Sequence, residues 1–187
     1  MGEIVTERLR LRPAGPADIE GLHALASDYE VVRQTETWPW PPDRAFTAKR
    51  ARPLDPAVGI AGPVFAGDEI VGMMGVHDFG AGAGAEMGYM FAQPHWGKGY
   101  ATEIGRALIA RAFADYDWPA ISACVFTDNP ASGRVLEKLG FVEGAPCRGA
   151  CAARGCALYT RTFRLDRGRG VFRRENGPNS TWNSRPS

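Results

Sequence analysis

The sequence predicts an α/β (α+β) domain: a mixed, mostly antiparallel sheet of six to seven strands with helices on both faces. Three observations carry that expectation. The hydrophobic periodicity runs in the order strand, helix, hairpin, strand, helix, strand, helix, strand, strand. Only one set of apolar faces is present, with no internal repeat, so residues 1–167 read as a single domain. The length of 187 residues with 44% hydrophobic and 23% charged content suffices for a substantial core. Residues 168–187, rich in Arg, Gly, Asn, Ser and Pro, read as a disordered tail.

Leu9, Leu11 and Pro13 alternate with Arg8, Arg10 and Arg12, the period of a half-buried strand. Asp18 to Ser27 reads as a helix with Ile19, Leu22 and Leu25 on one side. Trp38-Pro39-Trp40-Pro41-Pro42 is a stiff aromatic loop, because Pro39 and Pro41 would break a helix. Arg44 to Arg52 reads as a short helix. Val64–Ala66 and Ile70–Val76 flank Gly67-Asp68-Glu69 as a hairpin, and Gly80 to Gly84 is a flexible link to a strand over Ala85 to Ala92. Ile104, Leu108, Ile109, Ala112 and Phe113 give Tyr100 to Ala114 an apolar helical face. Ala120 to Phe126 is a buried strand. Asn129 and Pro130 suit the N-cap and first position of a helix. Gly140 suits its left-handed end, with Phe141 folding back toward Leu136. A short strand at Phe141-Val142 and a last one over Ala157 to Leu165 complete the sheet.

The corner between the Ala85–Ala92 strand and the Tyr100 helix is the most informative stretch. Gln93-Pro94-His95-Trp96-Gly97-Lys98-Gly99-Tyr100-Ala101-Thr102-Glu103 holds two glycines two apart, followed by a helix start. Glycine allows close backbone approach and unusual dihedrals. A first helical turn offers unpaired N–H groups and the positive dipole end, together a cradle for phosphate or pyrophosphate. A nucleotide-triphosphate loop would need Ser or Thr after Gly-Lys, where Gly99 stands. A dinucleotide fingerprint would need a third glycine where Thr102 stands. The remaining reading is a coenzyme A pyrophosphate loop.

Four blocks in order support it. They are Thr6-Glu7-Arg8-Leu9-Arg10-Leu11-Arg12-Pro13; Glu86-Met87-Gly88-Tyr89; the glycine corner; and Asn129-Pro130-Ala131-Ser132 with Leu136-Glu137-Lys138-Leu139-Gly140-Phe141. Over roughly residues 4 to 165 the chain resembles the GNAT superfamily of N-acetyltransferases, closest to its RimJ/RimL branch, which acetylates protein amino termini and related amines. Pro94 departs from the Gln or Arg common at that place in the family.

The resemblance implies a GNAT-like fold and an acetyltransferase using acetyl-CoA as co-substrate, with no metal. Gly97, Lys98, Gly99, Tyr100, Ala101 and Thr102 would hold the pyrophosphate, mainly through backbone N–H groups. Lys98 would pair with a phosphate or be a solvated loop lysine. The strand ending at Met90, Phe91 and Ala92 would splay from its neighbour, leaving N–H groups unpaired for the coenzyme and the developing oxyanion. Glu86 would take the acceptor proton, or else be a solvated strand-end carboxylate. Ser132 would protonate the departing thiolate, or serve the helix start. Asn129 would cap that helix and touch the pantetheine arm. Gly133 would leave room for that arm or be drift. Trp38 and Trp40 would form an aromatic acceptor wall or be ordinary packing. His77 and His95 read as structural.

Composition excludes other classes. No apolar run nears membrane-helix length, and the start lacks the features of a secretion signal, so a cytoplasmic protein is expected. Cys124, Cys147, Cys151 and Cys156 form no zinc-type spacing. The net charge of +1 splits into +3 over residues 166–187 and −2 elsewhere, no field for nucleic acid. The expected partner is an amine acceptor, either a peptide or protein N-terminus or a small amine, with the chain a monomer or homodimer. A non-catalytic acyl-CoA-binding module is the alternative.

Overall fold

The computed structural model describes residues 2–78, 80 and 84–168. The expected tail and most of the Gly80–Gly84 link therefore lie outside the described residues. Nine strands form one sheet: β1 (Ile4–Val5), β2 (Arg10–Leu11), β3 (Gly59–Ala66), β4 (Glu69–His77), β5 (Ala85–Phe91), β6 (Ala120–Phe126), β7 (Val142–Glu143), β8 (Cys147–Cys151) and β9 (Cys156–Asp166). The spatial order is β1-β2-β3-β4-β5-β6-β9-β7, with β8 also paired to β9. Every pair is antiparallel except β5–β6.

The mixed, mostly antiparallel architecture is as expected; the strand count exceeds six to seven. The additions are β1, too short to show a period, and β8, whose Cys-Arg-Gly-Ala-Cys run has only Cys151 buried. Between β2 and β3 lie α1 (Ile19–Ala26), α2 (Tyr29–Val32) and α3 (Arg44–Arg50). The sequence gives no sign of α2, which is a single turn started by the Asp28 side chain accepting from Glu30 N. The helices α4 (Tyr100–Asp115) and α5 (Pro130–Lys138) follow β5 and β6.

Two apolar clusters cover the two sheet faces. Ile104, Leu108, Ile109 and Ala112 of α4, with Leu136 of α5, close over Val76, Met87, Ile121 and Phe163. Leu25, Val31, Val32 and Trp38 close over Met90 on the other face. The α5 termini follow the expected signals. Asn129 Oδ1 accepts from Ser132 N at 3.1 Å, and Phe141 N donates back to Leu136 O at 3.0 Å past Gly140 at φ 91°. No helix among the described residues is long and apolar enough to cross a membrane.

The loop of residues 33–37 is stitched to the far end of the chain. Ala152 N donates to Glu36 O at 2.9 Å, and Arg154 Nε to Arg33 O at 2.8 Å. The Cys151 thiol faces the carbonyls of Arg33 and Thr35. Asp128, just before α5, receives both Arg33 and Arg154, whose charges hold its carboxyl below the usual range despite partial burial.

Candidate active site

The glycine corner is built as a backbone cradle. Gly97 and Gly99 sit at φ 75° and 79°, a region L side chains avoid. Gly99 directly precedes α4. A hollow of about 430 Å³ opens beside it, lined by Arg8, Gly99, Thr102, Arg106 and Lys138 together with Glu7 and Glu103. Residues of the first block brace the corner from behind. Thr6 Oγ1 and Arg8 N both donate to Glu103 Oε1, at 2.7 and 3.0 Å, and Arg8 Nε donates to Glu103 Oε2 at 2.7 Å. Arg8 Nη1 also donates to Lys98 O at 3.1 Å, and its guanidinium lies 4.9 Å from the Tyr100 ring centre. Burial would raise the Glu103 pKa, but these bonds from Thr6 and Arg8 outweigh it and hold it low.

The β5–β6 ladder is the second feature. Each strand has seven residues, yet they pair only at Ala85–Ile121 and Glu86–Ser122. Beyond that point they diverge. A pocket of about 410 Å³ occupies the gap, with Gly88, Tyr89 and Met90 on one bank and Ala123 to Phe126 on the other. Strand alternation fixes which backbone groups face it. Ala92 N donates to Val71 O at 3.0 Å, so Ala92 and, two residues back, Met90 turn toward β4. Tyr89 and Phe91 turn toward the gap. Consistently, Trp96 Nε1 reaches the Phe91 carbonyl at 2.7 Å. The reading of Ala92 as a free donor is therefore corrected: its N–H belongs to the β4–β5 ladder, whereas Phe91 faces the gap.

One end of the pocket is acidic. Glu86 and His77 are cross-strand partners, so their side chains share the α1–α3 face. Gly88, on the same face, would meet nothing within 4 Å if given a Cβ, which makes it the open floor. Burial pushes the Glu86 carboxyl above its usual pKa. Glu36 also lines the pocket, and its pKa is raised by burial and then by the charge of Glu86. Cys124 borders the same space, its thiol pushed up to about 12 by burial first and then by Cys147 and the two carboxylates.

The other end belongs to α5. Asn129 and Ser132 line it. The Ser132 hydroxyl lies 2.6 Å from the Tyr89 phenol oxygen, which is also 3.1 Å from the Ser132 carbonyl. With the phenol proton on that carbonyl, the serine hydroxyl donates to the phenol oxygen. Burial pushes the Tyr89 pKa up to about 12, against the lowering effect of the Ser132 bond, so the phenol is neutral at physiological pH.

The structure thus brings Glu86, Asn129 and Ser132 to one pocket. Phe91 turns its backbone toward the same gap without lining that pocket, and Gly99 and Thr102 line the separate hollow at the corner. Trp38 lines the pocket but is itself core, 6% exposed and edge-on to Phe46 at 5.4 Å. Trp40 does not line the pocket; it meets Tyr29 edge-on at 5.3 Å. The Lys98 side chain is exposed. His95 stacks on Tyr100, and its Nε2 lies 3.2 Å from Glu69. A Cβ at Gly133 would meet the Arg161 guanidinium, the far end of a flexible side chain that would have to shift. Sequence reasoning missed Glu36 and Arg50, both in the pocket lining, and the hold of Tyr89 on Ser132. The Glu-x-Gly-Tyr block was the one available signal for Tyr89. Among the described residues no cluster of His, Cys, Asp and Glu forms a metal site.

Residues 8–142 match the acetyltransferase (GNAT) domain family. The chain belongs to this family. YoaA, an uncharacterized N-acetyltransferase of Bacillus subtilis (strain 168), is 32% identical over 98 residues, covering 52% of this GNAT chain and 55% of YoaA, about half of each. In fold, the chain is similar to RimL, a ribosomal L7/L12 alpha-N-protein acetyltransferase solved with coenzyme A. The TM-score is 0.75 at 19% identity, covering 88% of this chain and 98% of that one. It is also similar to the spermidine N-acetyltransferase of Vibrio cholerae, solved with CoA and spermine, at TM-score 0.71 and 17% identity, covering 88% and 99%. Both likenesses are of fold, and both solved neighbours hold coenzyme A.

Proposed function

We propose that this GNAT chain moves an acetyl group from acetyl-CoA to a primary amine by direct attack in a ternary complex, with a protein N-terminal α-amine as one acceptor. The observation that carries the reading is the single pocket through the β5–β6 gap, with Glu86 at one end and Ser132 at the other.

The residues divide the work. Amides of residues 97–102 grip the pyrophosphate, with Thr102 and Lys98 adding a hydroxyl and a charge. Phe91 presents its backbone to the thioester arm, and Asn129 borders that arm. The amine nitrogen attacks the acetyl carbonyl carbon; a C–N bond forms and the C–S bond breaks. Glu86 accepts the amine proton, directly or through water, and its raised pKa makes it a better base than a solvated carboxylate. Ser132, held by Tyr89, supplies a proton to the thiolate and recovers one from solvent. Holding both reactants in register contributes much of the rate.

The amine class follows from proton availability. An α-amine with a pKa near about 7.7–8.0 is roughly a tenth neutral at pH 7, while a lysine side chain near about 10.4 is far less so. One carboxylate base suits the former. The RimL likeness supports a protein N-terminus, and the Vibrio cholerae enzyme keeps small polyamines in view. A cytoplasmic setting belongs to the same reading.

Thiol release from acetyl-CoA across a panel of free-amine peptides and small amines tests it. Stimulation above hydrolysis by at least one amine is expected. Coenzyme binding by calorimetry with no stimulated release would replace the enzyme with an acyl-CoA-binding module.

A further inference from the structure

Among the cations in the pocket that the proposed chemistry leaves idle, one is half-buried. Arg50, the last residue of α3, lines the pocket. Its Nη2 donates to Thr37 Oγ1 at 2.7 Å, and its guanidinium carbon lies 5.2 Å from the Phe46 ring centre. Neither neighbour is an anion. Arg8, Arg12, Arg33, Arg154 and Arg161 are each paired with an Asp or Glu. Arg50, half-buried, has no carboxylate partner among the described residues, and burial lowers its pKa with no negative neighbour to offset it.

The charges also act on one another. The Arg50 charge reaches His77, lowering its pKa after burial has done so. His77 stands across the ladder from Glu86, and Glu86 in turn acts on Glu36. Arg50, His77, Glu86 and Glu36 all line the one pocket. Exposed Lys49 and Arg52 line it as well.

A bare amine uses only half of this arrangement. From it, and resting on the transferase reading above, we infer that the acceptor is a primary amine that also carries a carboxylate. Glu86 and Glu36 flank the nitrogen, and Arg50 takes the carboxylate. A guanidinium fork matches two carboxylate oxygens, and Thr37 leaves most of its donors free for that pairing. Two sources share the chemistry: a free α-amino acid, whose carboxylate is its own α-carboxyl, and a peptide whose first residue is Asp or Glu. Glu36 acts here as a specificity residue, fixing which end of the acceptor faces the thioester.

The test is thiol release from acetyl-CoA, with each rate referred to the concentration of neutral amine: a free amino acid against its amide, and peptides starting with Asp or Glu against the same peptides starting with Asn or Gln. We expect kcat/KM to favour the carboxylate member by at least about tenfold, as one charge-assisted bidentate contact commands. The pair in which the preference appears identifies the source. In Arg50→Gln the ratio falls to about twofold or less, while Arg50→Lys keeps an intermediate ratio; melting curves establish that both variants fold. Equal rates within every pair, or a preference that survives Arg50→Gln, would overturn the inference and leave the transferase reading standing. No turnover of any amine would overturn both.

Discussion

The glycine corner and the pocket in the β5–β6 gap treat the same chemical group in opposite ways. At the corner, the Glu103 carboxylate accepts from Thr6 and twice from Arg8, and its pKa is held low. In the pocket, burial raises the pKa of both Glu86 and Glu36, and the Glu86 charge raises that of Glu36 further. The corner is finished before any ligand arrives. The pocket is left with charges that a ligand would have to complete. Polar satisfaction marks what the fold needs for itself, and its absence marks where a substrate is anticipated.

The largest effect that sharpens this contrast is expected from Glu86→Gln. With the proposed base removed, kcat/KM toward amines should fall by about 10²-fold or more. Wild-type activity should decline in acid as Glu86 protonates, through a midpoint above the ordinary carboxylate value. In the variant that limb should disappear, as rates from pH 5 to 9 would reveal. A Glu86→Gln profile matching the wild type would remove this residue from the chemistry.

Next comes Gly88→Val. Open space surrounds that position, so the side chain fills the pocket floor without a clash. The acceptor KM should rise about tenfold while coenzyme affinity by calorimetry holds steady. The mirror change is Gly97→Ala. A left-handed residue with a Cβ costs about 1–2 kcal/mol, so coenzyme affinity should weaken by about five- to thirtyfold. If the two variants disturbed the same constant, the division between cradle and pocket would be wrong.

Smaller shifts test the electrostatics directly. A lowered pKa means that Glu103 contributes stability above its unfolded value and loses it as pH falls. Glu103→Gln should therefore depress Tm at neutral pH, by about 1–2 kcal/mol in stability, with the deficit shrinking in acid. Raised pKa values reverse the sign. Glu36 costs stability once pH rises through its folded pKa, so Glu36→Gln should raise Tm at pH 8, with the gain vanishing below about pH 4. Thermal scans at both pH values check the pair; a Glu36→Gln variant that melts lower at pH 8 would contradict the burial argument.

Local signals were legible in the sequence where a residue's job is settled within a few positions of it. Asn129, Pro130 and Gly140 mark the ends of α5 because capping is a local matter, and Gly97 and Gly99 mark the corner because positive φ is a property of single residues. The antiparallel architecture followed from periodicity. Glu36 was illegible because its loop has no period; the loop owes its position to bonds from Ala152, Cys151 and Arg154. The neighbour of Gly133 was equally opaque, since the Arg161 guanidinium comes from the distant β9. Arg50 fits the end of a short helix, and only the fold reveals that no carboxylate among the described residues pairs with it.

The stitching of residues 33–37 to the β8–β9 turn also bears on biosynthesis. The chain emerges from a ribosome amino end first, and its glycine corner and both α4 and α5 can be made while β9 is still in the exit tunnel. The wall that carries Glu36 lacks its bonds to Ala152, Cys151 and Arg154 until those residues arrive. A nascent chain could therefore grip a coenzyme before it could select an acceptor, and discrimination would be the last property acquired in synthesis.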